Sequence, residues 1–181
     1  MKISKAISLY IIAHLSLTAC TAVNPVMPTI APTFTMSSVQ VAVEKAPFYS
    51  TIDILGIGPV YAARLKKIGI RTVKDLLEAS TTPKDRQHLL NVTGIGHAYI
   101  LKWANYADLM RITGVGPEYS RLLETAGVDT VIELLQRNPV NLRVTLETTN
   151  AKYKFVERIP SAEMLAKWIK NSQTMQQMLV Y

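Results

Sequence analysis

From residue 50 onward, apolar residues recur at helical spacing in short blocks, and glycine pairs punctuate them. Tyr61, Ala62 and Leu65 mark one helical face, and Val73, Leu76 and Leu77 mark the next. Gly56 and Gly58 predict a tight turn whose backbone angles are closed to other residues. Pro59 suits the first position of the helix that follows, and Gly69 suits its left-handed end. Thr72 and Asp75 have the spacing of a capping box for the second helix. Displacing the chain by 58 residues superimposes this block on another: 11 of 25 positions are identical between 54–78 and 112–136, without a gap. The second copy supplies Gly114, Gly116, Pro117, Gly127, Thr130 and Glu133, with Val131, Leu134 and Leu135 facing inward. A duplicated unit of helix, glycine hairpin, helix, cap and helix is the reading that follows.

A third pair, Gly94-Ile95-Gly96, precedes Ile100, Leu101, Trp103 and Ala104. It lacks the following proline and the second capping signal, so it reads first as a helix start in the back half of the first repeat, with a third hairpin as the secondary reading. The equivalent place in the second repeat is Pro160-Ser161, with Ser161 capping a helix that carries Met164, Leu165, Trp168 and Ile169 on one face. Both tryptophans read as core. The fold class is all-α: duplicated hairpin units, 50–110 and 111–181, form one helical domain.

Upstream the pattern changes. Lys2 and Lys5 precede an apolar stretch, 6–18, of signal-peptide length, and Leu17-Thr18-Ala19-Cys20 follows. This resembles the bacterial lipobox, which implies a signal peptide at 1–19 and lipidation of Cys20, the chain's one cysteine. A retained hydrophobic anchor, or a wrongly chosen start codon with Cys20 an accident, is the competing reading. Thr21 stands where inner-membrane retention signals carry Asp, so the resemblance implies an outer-membrane lipoprotein facing the periplasm. No Asp, Glu, Lys or Arg occurs from Ala6 to Val43, and Pro25, Pro28 and Pro32 interrupt any helical period. Residues 20–49 therefore read as a flexible tether, ~100 Å at full extension.

The formal charge is +7, and loss of Lys2 and Lys5 leaves 18 basic against 13 acidic side chains, a net of +5. That balance permits a polyanionic partner without demanding one. Catalysis finds little support. His88 and His97 stand apart from cysteines and paired carboxylates, and no phosphate loop, nucleophile elbow or metal-binding spacing occurs. The reading is a non-enzyme without a cofactor, and His97 reads as a surface residue near a helix start.

The unit resembles the helix-hairpin-helix motif of DNA-binding proteins. Over 50–181, and most clearly in GIGPVYAARL, WANYADLMRITGVGPEYS and AGVDTV, the chain resembles the bacterial family called domain of unknown function 4332. The motif resemblance implies backbone N–H donors at Gly56, Gly58, Val60 and Tyr61, holding a phosphate at the positive end of a helix without reading bases. Arg64 and Lys67 would add counter-charge. The copies differ in charge. The first carries Arg64, Lys66, Lys67, Arg71 and Lys74 against Asp75 and Glu78; the second carries Arg121 against Glu118, Glu124, Asp129 and Glu133. If either hairpin meets double-stranded DNA, it is the first, and the second reads as scaffold. The compartment favours another partner, an envelope protein, with both hairpins structural. Helix-hairpin-helix proteins that take up DNA at the envelope keep the DNA reading in play. In either case the N-terminal lipid provides membrane attachment.

Overall fold

The computed structural model describes residues 49–181; the expected signal peptide, Cys20 and the tether as far as residue 48 lie outside the described residues. A 3-10 turn, Thr51–Asp53, precedes eight helices: α1 (Pro59–Lys67), α2 (Val73–Glu78), α3 (Pro83–Thr93), α4 (His97–Leu109), α5 (Pro117–Thr125), α6 (Val131–Leu135), α7 (Pro139–Tyr153) and α8 (Ala162–Ser172). The described residues form no strand beyond an isolated bridge between Ser50 and Thr72. The all-α reading holds for these residues.

Local chemistry sets the helix boundaries. The Thr72 hydroxyl accepts the Asp75 N–H at 3.0 Å, while the Asp75 carboxylate accepts the amides of Thr72 and Arg71. Those two amides hold the Asp75 carboxyl below its ordinary range, Arg71 contributing most. Thr82 and Asp85 build the same box at α3, a Thr-x-x-Asp signal that also stands in the sequence. In the second repeat the box is only half made. The Thr130 hydroxyl caps Glu133, but the Glu133 carboxylate receives the Asp129 amide instead of that of Thr130. Gly69 and Gly127 end α1 and α5 at φ +89° and +82°, where a side chain would be strained.

Packing follows the repeat. One buried cluster gathers Leu65, Leu76, Leu89, Ile100 and Trp103; another gathers Leu122, Leu134, Leu146, Leu165 and Trp168. Helices α2 and α3 pack on α4, and α6 and α7 pack on α8, so each Trp-bearing helix is the spine of its own repeat. α4 also packs on α5 and gives Leu109 to the second cluster, which joins the two halves.

The sequence did not reveal three of the features that join the halves. Tyr49, assigned to the tether, belongs to the fold: its carbonyl accepts the Val73 N–H at 3.0 Å and its ring packs on the first cluster. Asp108, 1 % exposed, accepts the Val131 N–H at 2.9 Å and pairs with Arg111 at 2.6 Å, fixing the start of α6 to the end of α4. The final residues, 178–181, return to the first repeat. Leu179 is buried in its core, the Val180 amide donates to the Thr81 carbonyl, and Arg86 donates to the Val180 carbonyl at 2.7 Å.

Candidate functional site

Helix N-termini leave N–H groups without an intrahelical acceptor, and a side chain normally supplies one. Five helices here follow that rule: Thr72, Thr82, Thr130, Asn138 and Ser161 each accept a first-turn amide. Three do not. α1, α4 and α5 begin at Gly58, Gly96 and Gly116, which have no side chain to offer. Each of these glycines closes a glycine–apolar–glycine turn whose middle residue, Ile57, Ile95 or Val115, is buried. In each turn the first glycine has positive φ: +97° at Gly56, +66° at Gly94 and +93° at Gly114.

Gly94-Ile95-Gly96 is therefore a full hairpin between α3 and α4, not only a helix start. The missing proline conceals it in the sequence, but burial of Ile95 makes the same turn. The first hairpin departs in the other direction, since only a 3-10 turn precedes it where the repeat pattern predicts a helix. The glycines of each pair also differ. Gly58 (φ −77°, ψ 175°) and Gly116 (φ −96°, ψ −172°) have extended backbones open to any residue, so only the first glycine of each pair is conformationally required. Gly56 and Gly114 are further constrained by tryptophan. A Cβ on Gly56 would lie 3.3 Å from the Trp103 indole nitrogen, and one on Gly114 would lie 3.1 Å from that of Trp168. Tyr61 and Tyr119 pack on the same indoles, with ring centres 5.4 and 5.3 Å away.

The three uncapped starts are not equally open. Nothing lies within 4 Å of a Cβ placed on Gly58, and neighbouring Val60 is 65 % exposed. The amides of Gly58, Val60 and Tyr61 take no partner among the described residues. At Gly116 the Tyr49 hydroxyl stands 3.6 Å and a Glu118 carboxylate oxygen 4.0 Å from the same position. An acceptor and a negative charge thus already occupy the approach to the second hairpin. Gly96 is open apart from the Tyr99 ring, and the Ala98 amide has no described partner.

Of the site residues predicted from sequence, Gly56, Gly58, Val60 and Tyr61 come together at the mouth of the first hairpin. Arg64, one turn further, reaches sideways: its guanidinium lies 5.7 Å from the Tyr61 ring centre and 3.4 Å from the Thr93 carbonyl, beside the third hairpin. Lys67 is not part of this mouth. It is the last residue of α1, about 10 Å along the axis from Val60 at 1.5 Å per residue. The Tyr61 and Tyr99 ring centres are 6.1 Å apart, so the first and third hairpins adjoin through the third residue of α1 and of α4. Sequence reasoning missed Tyr99 and the Ala98 amide; the glycine pair before them was the available signal. His97 is the exposed first residue of α4.

Charge separates the repeats further. Among the described residues, Arg64, Lys66, Lys67 and Arg71 have no carboxylate partner, while Lys74 pairs with Glu78 at 3.6 Å on the surface. Glu124 of the second copy pairs with Lys102 across the repeats at 3.5 Å.

No curated protein and no solved structure matches the chain. The sequence pattern of a family described as a domain of unknown function, DUF4332, matches residues 55–175, which include all three glycine hairpins and both tryptophan-bearing helices. The chain belongs to the DUF4332 family.

Proposed function

We propose that this chain is a non-catalytic, lipid-anchored binding module whose first hairpin holds the phosphate backbone of double-stranded DNA without reading its sequence. The observation that carries this reading is the open start of α1. Gly58 is not required by backbone angle or by packing, and its lack of a side chain leaves the amides of Val60 and Tyr61 free. A glycine there lets a phosphate approach the backbone closely, at the positive end of the helix. Arg64 adds charge beside the contact, and Lys67 meets a neighbouring phosphate rather than the same one. The uncapped start of α4 supplies a second set of amides next to it. The second hairpin, closed by Tyr49 and Glu118, is scaffold. Lipidation at Cys20 and a tether that ends before Tyr49 would hold the domain at the envelope.

A second reading, an envelope protein-interaction scaffold, is favoured by a different observation. Val60 and Tyr99, 65 % and 55 % exposed, put apolar surface at the hairpin mouths, which suits a protein partner better than a phosphate. A titration of labelled duplex DNA at low salt separates the two. The DNA reading expects weak binding that falls steeply with salt and drops at least tenfold in the Arg64→Glu, Lys67→Glu variant. Absence of binding, or binding indifferent to that variant, leaves the scaffold reading.

A further inference from the structure

The α7–α8 corner of the second repeat carries a group of aromatic and basic side chains that the hairpins do not use. α7 is capped at its C-terminus by Lys154, the one non-glycine residue with positive φ among the described residues (φ 54°, ψ 45°). Glycine is the usual occupant of such a helix end, because a side chain is strained there. The reversal brings Tyr153 and Phe155 face to face, with ring centres 5.2 Å apart and planes within 7°. Cations flank the stack: the Arg121 guanidinium lies 4.1 Å from the Phe155 ring centre and the Lys152 ammonium 4.9 Å from that of Tyr153. The corner is held in place. Asn150 bonds both the N–H and the carbonyl of Val156, and the Tyr119 hydroxyl donates to the Arg158 carbonyl. Phe155 packs partly into the second core cluster, while Tyr153 stands 46 % exposed.

We propose that this corner is a binding site for single-stranded nucleic acid, in which an unpaired base displaces the Lys152 ammonium from the Tyr153 face and stacks there, its phosphates neutralised by Lys152, Lys154 and Arg158. Three observations point to that ligand class. The exposed ring is backed by a parallel aromatic, so it is a rigid platform of the kind on which bases stack irrespective of sequence. Lys152 lies over the ring, and the charged residues from 152 to 158 are basic except for Glu157. A strained lysine stands where glycine would serve the fold better, which places a further positive charge at the turn. A duplex hides the faces of its bases and cannot stack in this way. An anionic membrane calls for apolar side chains that project outward, and here Phe155 turns inward. The site is separate from the first hairpin and does not depend on it.

The test uses the full chain carrying Arg64→Glu and Lys67→Glu, so that those basic side chains of the first hairpin contribute nothing. Three probes are compared: a labelled thymidine oligonucleotide of ~10 nucleotides, an abasic deoxyribose-phosphate oligomer of equal length, and phosphatidylglycerol vesicles. The oligonucleotide is expected to bind, the abasic oligomer to bind roughly tenfold more weakly, and Tyr153→Ala to lose a similar factor while Tyr153→Trp restores it. Melting temperatures of the two Tyr153 variants serve as the control for folding. Failure of the oligonucleotide to bind, equal binding of the abasic oligomer, indifference to Tyr153→Ala, or vesicle binding through Tyr153 in place of the oligonucleotide would each overturn the proposal. None of these outcomes bears on duplex binding by the first hairpin.

Discussion

Replacing Gly114 and Gly116 separately by alanine tests whether the hairpin glycines have different jobs. At Gly114 the φ of +93° is one that L-residues hold at a cost of ~1–3 kcal/mol. The new methyl also lies 3.1 Å from the Trp168 indole nitrogen, in a buried ring that cannot swing away, and overpacking of that kind adds ~1 kcal/mol or more. Reduced freedom of the unfolded chain returns ~0.4–1 kcal/mol. The net expectation is a loss of about 2–3 kcal/mol, or roughly 10 °C in melting temperature for a domain of this size. At Gly116 the backbone is extended and the nearest atoms are 3.6 and 4.0 Å away. Alanine there forfeits ~0.5–1 kcal/mol of N-cap preference and regains a similar amount from the unfolded state, so Gly116→Ala stays within ~0.5 kcal/mol of the parent. Urea unfolding followed by far-ultraviolet circular dichroism measures both. Equal losses at the two positions, or a larger loss at Gly116, would refute the assignment of the turn to Gly114 and its tryptophan.

Asp108→Ala strips an acceptor from the Val131 amide and a partner from Arg111, and is expected to cost about 2–4 kcal/mol in the same urea assay. A loss below ~1 kcal/mol would show that Asp108 does not hold the repeats together. Asp129 is held above its reference pKa of 3.8, first by burial and then by Glu133 and Glu124. Its folded form therefore retains a proton more readily than its unfolded form, and its contribution to stability falls as pH rises through that range. Asp129→Asn should raise the melting temperature at pH ~7 and lose that advantage below pH ~4; an advantage that grows in acid would contradict the sign. Mass spectrometry of the mature N-terminus is expected to find a lipidated Cys20, and an unprocessed Met1 would remove the anchor from the proposal.

What could be read from the sequence was local. The Thr72–Asp75 box, the positive-φ glycines and the internal repeat each depend on residues a few positions apart, and they recur in the structure. Thr82–Asp85 has the same spacing and was equally available. The third hairpin was hidden because its signature lacks proline, although Gly94-Ile95-Gly96 has the same buried centre as the other two. Long-range contacts left no such trace. Arg86 is 2 % exposed, donating to Ser80, Thr81 and, across 94 residues, Val180. Nothing in the pattern around Arg86 distinguishes it from the exposed lysines nearby. At the candidate site, the acidity of the second hairpin was legible through Glu118. The hydroxyl of Tyr49 was not, because that residue falls where composition reads as tether. Lys67 shows the limit of charge reasoning: it shares a helix with the hairpin but stands at the other end of it.

The most direct measurement of the proposed function is the amide spectrum of the isotope-labelled chain titrated with a short DNA duplex at low salt. The N–H signals of Gly58, Val60 and Tyr61 should shift with duplex concentration and return as salt is raised, while those of Gly116, Glu118 and Tyr119 stay in place. Shifts at the second hairpin instead, or no shift at the first, would contradict the assignment of phosphate binding to the open start of α1.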